Sequence, residues 1–142
     1  MTTADEAVID SSVIMAMVAP EEHTEWASQK IKEHRYFHVL DLNYYEVANA
    51  IRYKTSNKFT IKDAQIAWSD ATNLMSLFAL HSFSEVIDDA LASASNLNIT
   101  VYDAAFLSLA ARLNMRFLTL DEKLAKKLED TKYYRLVECP NR

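Results

Sequence analysis

Four acidic residues stand where short apolar runs give way to helical sequence. Asp10 follows Ala7-Val8-Ile9, Glu46 lies in the helical stretch after Phe37–Leu40, Asp103 follows Ile99-Thr100-Val101-Tyr102, and Asp121 follows Arg116-Phe117-Leu118-Thr119-Leu120. Carboxylates brought together must protonate or find a counter-charge, because an unpaired buried charge is very costly. Cations are remote along the chain. Residues 1–29, 36–51 and 63–111 contain no Lys or Arg, so Asp10, Glu46 and Asp103 lack a cationic partner within helical reach. A divalent ion is the natural counter-charge, and a distant arginine is the alternative. No His lies within four residues of any of the four acids, and an all-oxygen donor set favours Mg²⁺ or Mn²⁺ over zinc. Each acid also has an ordinary role open to it. Asp10, Asp103 and Asp121 precede helical sequence and can serve as N-caps, worth about 1 kcal/mol each. Glu46 falls opposite the apolar stripe of Tyr44, Val47, Ala48 and Ile51, which ordinarily means solvent, but its side is shared with the charge-poor set Leu42, Asn49, Ala50 and Tyr53, which could equally be covered.

The elements that must position these acids alternate in type. Apolar runs at 7–9, 37–40, 77–80 and 116–120 read as buried strands. Between them lie helical stretches at 43–55, 84–95, 103–113 and 121–129, with one opened by Pro20 and one by the capping box variant Thr60-Ile61-Lys62-Asp63. This order predicts a mostly parallel sheet of four or five strands, with helices on both faces in three layers. Ligands of such folds sit at the carboxyl ends of the strands. The 142 residues, with no linker or repeat, are expected to form one domain spanning 1–142.

The chain contains no glycine. Backbone phosphate cradles such as the P-loop and the dinucleotide turn need it, as do the nucleophile elbow and the GXXG clamp, so chemistry here falls to side chains. Asn57, Asn98 and Asn114 stand where glycine would be expected to supply left-handed turns. Cys139 is the one cysteine. It excludes an internal disulfide and a thiolate zinc cage, and no neighbouring cation activates it. A cytoplasmic setting is expected, since the start Met1-Thr2-Thr3-Ala4-Asp5-Glu6 is acidic rather than signal-like and no apolar run approaches a membrane span.

Val8-Ile9-Asp10-Ser11-Ser12-Val13, Tyr45-Glu46 through Arg52, Tyr102-Asp103 through Ala111 and Phe117-Leu118-Thr119-Leu120-Asp121-Glu122-Lys123-Leu124 resemble, in order and spacing, the four acidic motifs of PIN-domain nucleases, above all the VapC-type toxins. The match runs over nearly the whole chain. Asn114 departs from it, standing where many relatives have glycine. The resemblance implies a PIN-like fold and an Mg²⁺- or Mn²⁺-dependent endoribonuclease. Asp10 and Asp103 would be the central ligands, Glu46 would share that metal, and Asp121 would hold a second ion or orient the attacking water. Ser12 and Thr119 become candidates for hydrogen bonds to those ligands. The resemblance also implies a homodimer and a cognate VapB-like antitoxin, for which Met15, Met17 and Trp26 offer a candidate apolar surface. A non-catalytic PIN domain that binds RNA or protein is the alternative. A receiver domain is disfavoured because Asp10 is followed by Ser11 and Ser12, and a haloacid-type phosphatase fails because Ser12 replaces its second Asp.

The net charge of −5 does not exclude an RNA substrate, because it is unevenly placed. Residues 52–63 carry Arg52, Lys54, Lys58 and Lys62 against Asp63, and residues 112–135 carry seven basic against four acidic side chains. Arg52, Lys54 and Lys58 are the candidate phosphate contacts. Tyr45, Tyr53 and Trp68 are candidates for base stacking or, equally, for packing.

Overall fold

The structure, a computed structural model, describes residues 5–141; Met1 to Ala4, the start of the acidic N-terminal stretch, and Arg142 lie outside the described residues. The strands are β1 (Glu6–Ile9), β2 (Tyr36–Leu40), β3 (Ala79–His81), β4 (Arg116–Leu118) and β5 (Val137–Glu138). They form one parallel sheet in the order β3-β2-β1-β4-β5. Parallel strands need crossovers, which the helices α1 (Ser11–Val18), α2 (Thr24–Glu33), α3 (Asp41–Thr55), α4 (Ile61–Met75), α5 (Ile87–Leu97), α6 (Val101–Leu113) and α7 (Glu122–Lys127) supply.

Side chains alternate across the sheet and define two cores. Ala7, Ile9, Phe37, Val39 and Leu118 pack with buried residues of α1 to α4, whereas Val8, Leu40, Phe117 and Val137 pack with α5, α6 and α7. The three α/β/α layers are those expected. Helix α6 is buried along the whole run Ala104 to Ala110. Its alanines, with Ala90 and Ala94 of α5, let the helices approach closely, and Phe106 stacks on Phe117 at 5.5 Å between centroids. Such a pair adds about 1 kcal/mol beyond area burial.

Several local expectations shift. Helix α1 begins immediately after Asp10, earlier than the Pro20 signal, and α2 starts at Thr24, because residues 21–24 are tied up in a turn in which the Glu21 N–H donates to Thr24 Oγ1. Strand β3 starts two residues later than the run 77–80, since Leu77 belongs to the turn leaving α4 and is exposed. Thr100 caps α6, accepting from the Asp103 N–H, so Asp103 sits inside the first turn rather than at the cap. Ala48 is exposed, and α3 buries Asn43, Val47 and Ile51. Met15 is buried, and Met17 and Trp26 pack against the core while staying partly exposed, so core packing accounts for Met15 and in part for the other two.

Asn98 and Asn114 end α5 and α6 in the left-handed region, each at φ 55°. Asn57 does not: α3 leaves through right-handed Ser56, and the Asn57 N–H closes a turn on the Lys54 carbonyl. A left-handed residue with a Cβ costs roughly 1–2 kcal/mol, less for Asn, whose side chain bonds locally. Asn114→Ala is therefore expected to lower stability by about 1 kcal/mol in urea unfolding, and Asn114→Gly to stay within about 0.5 kcal/mol of the parent.

Candidate active site

The carboxyl end of the central strand β1 carries Asp10, whose backbone N–H still bonds the Leu118 carbonyl of β4 at 2.9 Å. Its carboxylate is heavily hydrogen-bonded. Oδ1 accepts from the Ser11 N–H at 2.8 Å, and Oδ2 accepts from Ser12 Oγ at 2.8 Å and from Thr119 Oγ1 at 2.7 Å. Those hydroxyls also receive bonds, from the Leu120 N–H to Ser12 Oγ at 3.1 Å and from the Asp121 N–H to Thr119 Oγ1 at 3.0 Å. The loop after β4 is thereby fastened to Asp10. Burial raises the Asp10 pKa, against the bonds from Thr119, Ser12 and the Ser11 backbone, and Asp121 adds to the rise.

Glu46 reaches the same end of the sheet from the second turn of α3. Ser11 Oγ donates to its Oε1 at 2.8 Å. Burial, then the charges of Asp10 and Asp103, push the Glu46 carboxyl up to about 7 despite that bond. Of the two readings open for its side of the helix, the covered one holds for this residue: Glu46 is only partly exposed and looks toward Asp10. Asp103 is raised by burial and by Asp121 and Asp10, with Thr100 and Lys127 acting the other way. Asp121 caps α7 by accepting from the Leu124 N–H at 3.0 Å. Asp103 and Asp121 line one cleft with Asn98, Thr100, Lys123 and Lys127.

Asp10 and Asp121 are thus N-caps as well as members of an acidic group, while Asp103 is not a cap. Among the described residues none of the four acids is in an ion pair. No three His, Cys, Asp or Glu side chains among them stand together as a set able to hold a metal ion, so the arrangement is open. The donor chemistry nonetheless fits a hard divalent cation: oxygen ligands only, mutually repelling, partly desolvated and outside any ion pair, with Lys127 easing the charge of Asp103 alone.

Of the candidate phosphate contacts, Lys54 lies two turns beyond Glu46 on the same helix face, with Ala50 between. It lines a groove with Ser11, Ser12, Ala50 and Leu120, and a second groove with Lys58, Phe59 and Pro20. Arg52 is exposed and sits about 120° around α3 from Glu46, away from that wall. Tyr45 and Tyr53 are exposed, and Trp68 borderline so at 37%. Tyr102, beside Asp103, is also exposed. Sequence reasoning missed Ser11 and Asn43. The available signals were a hydroxyl directly beside Asp10 and a lone amide within the apolar stripe of α3.

Comparison with known proteins identifies the family and the fold. The family model for the PIN domain matches residues 7–129. Ribonuclease VapC3 of Pyrobaculum aerophilum is 35% identical over 122 residues, covering 84% of this chain and 92% of that protein. A crystal structure of a Pyrobaculum aerophilum protein superposes with TM-score 0.67 at 25% identity, covering 89% of this chain and 81% of that one. A chain of a toxin–antitoxin complex from Klebsiella pneumoniae gives 0.69 at 14%, covering 94% and 97%, and there the likeness is one of fold. With the four acidic motifs set at the carboxyl edge of a parallel α/β/α sheet, this chain belongs to the PIN-domain family.

Proposed function

We propose that this protein is a divalent-metal-dependent endoribonuclease, the toxin of a VapBC-type pair. The observation that carries the reading is the convergence of carboxylates with little compensation: Asp10, Glu46 and Asp103 are all raised in pKa by burial and by one another or Asp121, and only Asp103 feels a cation, Lys127, which outweighs neither effect. The relative named Ribonuclease VapC3 supports the activity, and the toxin–antitoxin complex among the structural neighbours supports a VapB-like antitoxin as partner, while a homodimer is proposed on the family resemblance alone. No helix among the described residues is long and apolar enough to cross a membrane.

Asp10 and Asp103 would hold Mg²⁺ or Mn²⁺, with Glu46 sharing it and Asp121 holding a second ion or orienting the water. When bound, the ion supplies Lewis-acid activation of water and neutralises charge at the leaving oxygen. The protein's own part is positional. Ser12 and Thr119 fix Asp10 Oδ2, the α7 cap fixes Asp121, and Lys54 offers a basic contact for phosphates in the groove of Ser11 and Ser12, with Lys58 continuing it in the second groove and exposed Tyr45 and Tyr53 available to bases. Arg52 would bind phosphate more peripherally.

Purified protein is expected to cleave an RNA panel with Mg²⁺ or Mn²⁺ and not in EDTA, and Asp10→Asn or Asp103→Asn to remove cleavage. Full cleavage in EDTA or by both variants defeats the reading, and RNA binding with no cleavage under any metal favours a non-catalytic PIN domain. In a salt series with Asp10→Asn, adding Lys54→Ala and Lys58→Ala should lower the slope of log affinity against log salt by roughly 0.7 per lost phosphate contact.

The raised Glu46 pKa sets the pH response. Between 4.5 and about 7 the folded chain binds more protons than the unfolded one, so stability without metal falls as pH rises through that window. Metal requires the ionised form, so its affinity climbs over the same range. Thermal melts should show a larger Mn²⁺-induced rise in Tm at pH 8 than at pH 5.5, and Glu46→Gln should flatten the metal-free pH dependence.

A further inference from the structure

Asn43 is fully buried and is the third residue of α3, where its side chain accepts from the backbone of the N-cap Leu40. Its amide is locked between two backbone groups. The Leu40 N–H at the end of β2 donates to Oδ1 at 2.7 Å, and Nδ2 donates to the Ile9 carbonyl at the end of β1 at 3.1 Å. A flipped amide would set Nδ2 against an N–H and Oδ1 against a carbonyl, so the orientation is unambiguous. The second hydrogen of Nδ2 then points to Ser11 Oγ at 3.0 Å. Because Ser11 accepts there, its single hydroxyl hydrogen is directed to Glu46 Oε1 at 2.8 Å.

We propose that Asn43 and Ser11 are positioning residues, a one-way hydrogen-bond relay that fixes where Glu46 Oε1 stands and requires it to be an acceptor. The relay starts on β1 and β2 where their pairing ends and the chains part into α1 and α3. The placement of Glu46 is therefore tied to the separation of two central strands rather than to its own helix alone. The inference rests on the metal-site reading above only for its effect on metal.

The test uses the full chain in two states. Without metal, the ¹³C resonance of the Glu46 side-chain carboxyl should move in Ser11→Ala, and move in the same sense in Asn43→Asp, where the new carboxylate competes for the Ser11 hydrogen. With Mn²⁺, calorimetry should show Ser11→Ala weakening affinity about 10–100-fold at a Tm within a few degrees of the parent. In the Glu46→Gln background the same change should add no more than about twofold. An unmoved carboxyl resonance in Ser11→Ala, or an equal loss of affinity in both backgrounds, overturns the relay. A parent that binds no Mn²⁺ while the resonance moves as expected overturns the metal reading and supports the relay. Ser11→Ala removes only an oxygen, so the test holds even where Asn43→Asp fails to fold.

Discussion

Like charges gathered at one end of a strand must be held there against their own repulsion, and much of this architecture can be read as the means of doing so. At an effective dielectric near 20, two carboxylates sharing a cleft oppose each other by a few kcal/mol. The fold resists through position. Asp10 stands at the end of the central strand, flanked by β2 and β4, in a sheet whose two faces are both buried. Glu46 is delivered from the helices on one face, and Asp103 and Asp121 from those on the other. Neither core alone could assemble the group, so its integrity depends on both.

Hydrogen bonds divide the same task. Ser12 and Thr119 each donate to Asp10 and accept from the loop after β4, so one carboxylate oxygen organises a segment more than a hundred residues away in sequence. Asn43 and Ser11 join the other side, from the ends of β1 and β2 to Glu46. The acids are thereby fixed by neutral donors. Neutral donors hold a carboxylate in place while leaving its charge available, which a lysine or arginine at the same distance would not do.

The features legible in the sequence were those with a local physical signature. Ala7-Val8-Ile9 is continuous apolar sequence because β1 is buried on both faces, and Asn98 and Asn114 stood out because a chain without glycine has few other residues for left-handed caps. Helix α1 was obscured because it follows β1 with only Asp10 between, and its apolar Val13 and Ile14 suit a strand as well. Thr100 and Asp103 both have cap chemistry, and only the backbone decides that the threonine is used. Strand β5 has two residues, too few for any period. The partnerships of Asn43 span more than thirty positions, a distance that no local pattern encodes.

The sheet ends on short strands, three residues in β3 and two in β5. An edge strand is a template for another chain's backbone, and its reach scales with the number of unpaired groups it shows. Here an incoming strand would gain only two or three ladder pairs on either side. Among the described residues, then, the sheet edges offer little backbone to a partner, and most of the exposed surface is that of side chains on helix faces and around the acidic cleft. Backbone pairing, which accepts almost any sequence, is thereby kept short.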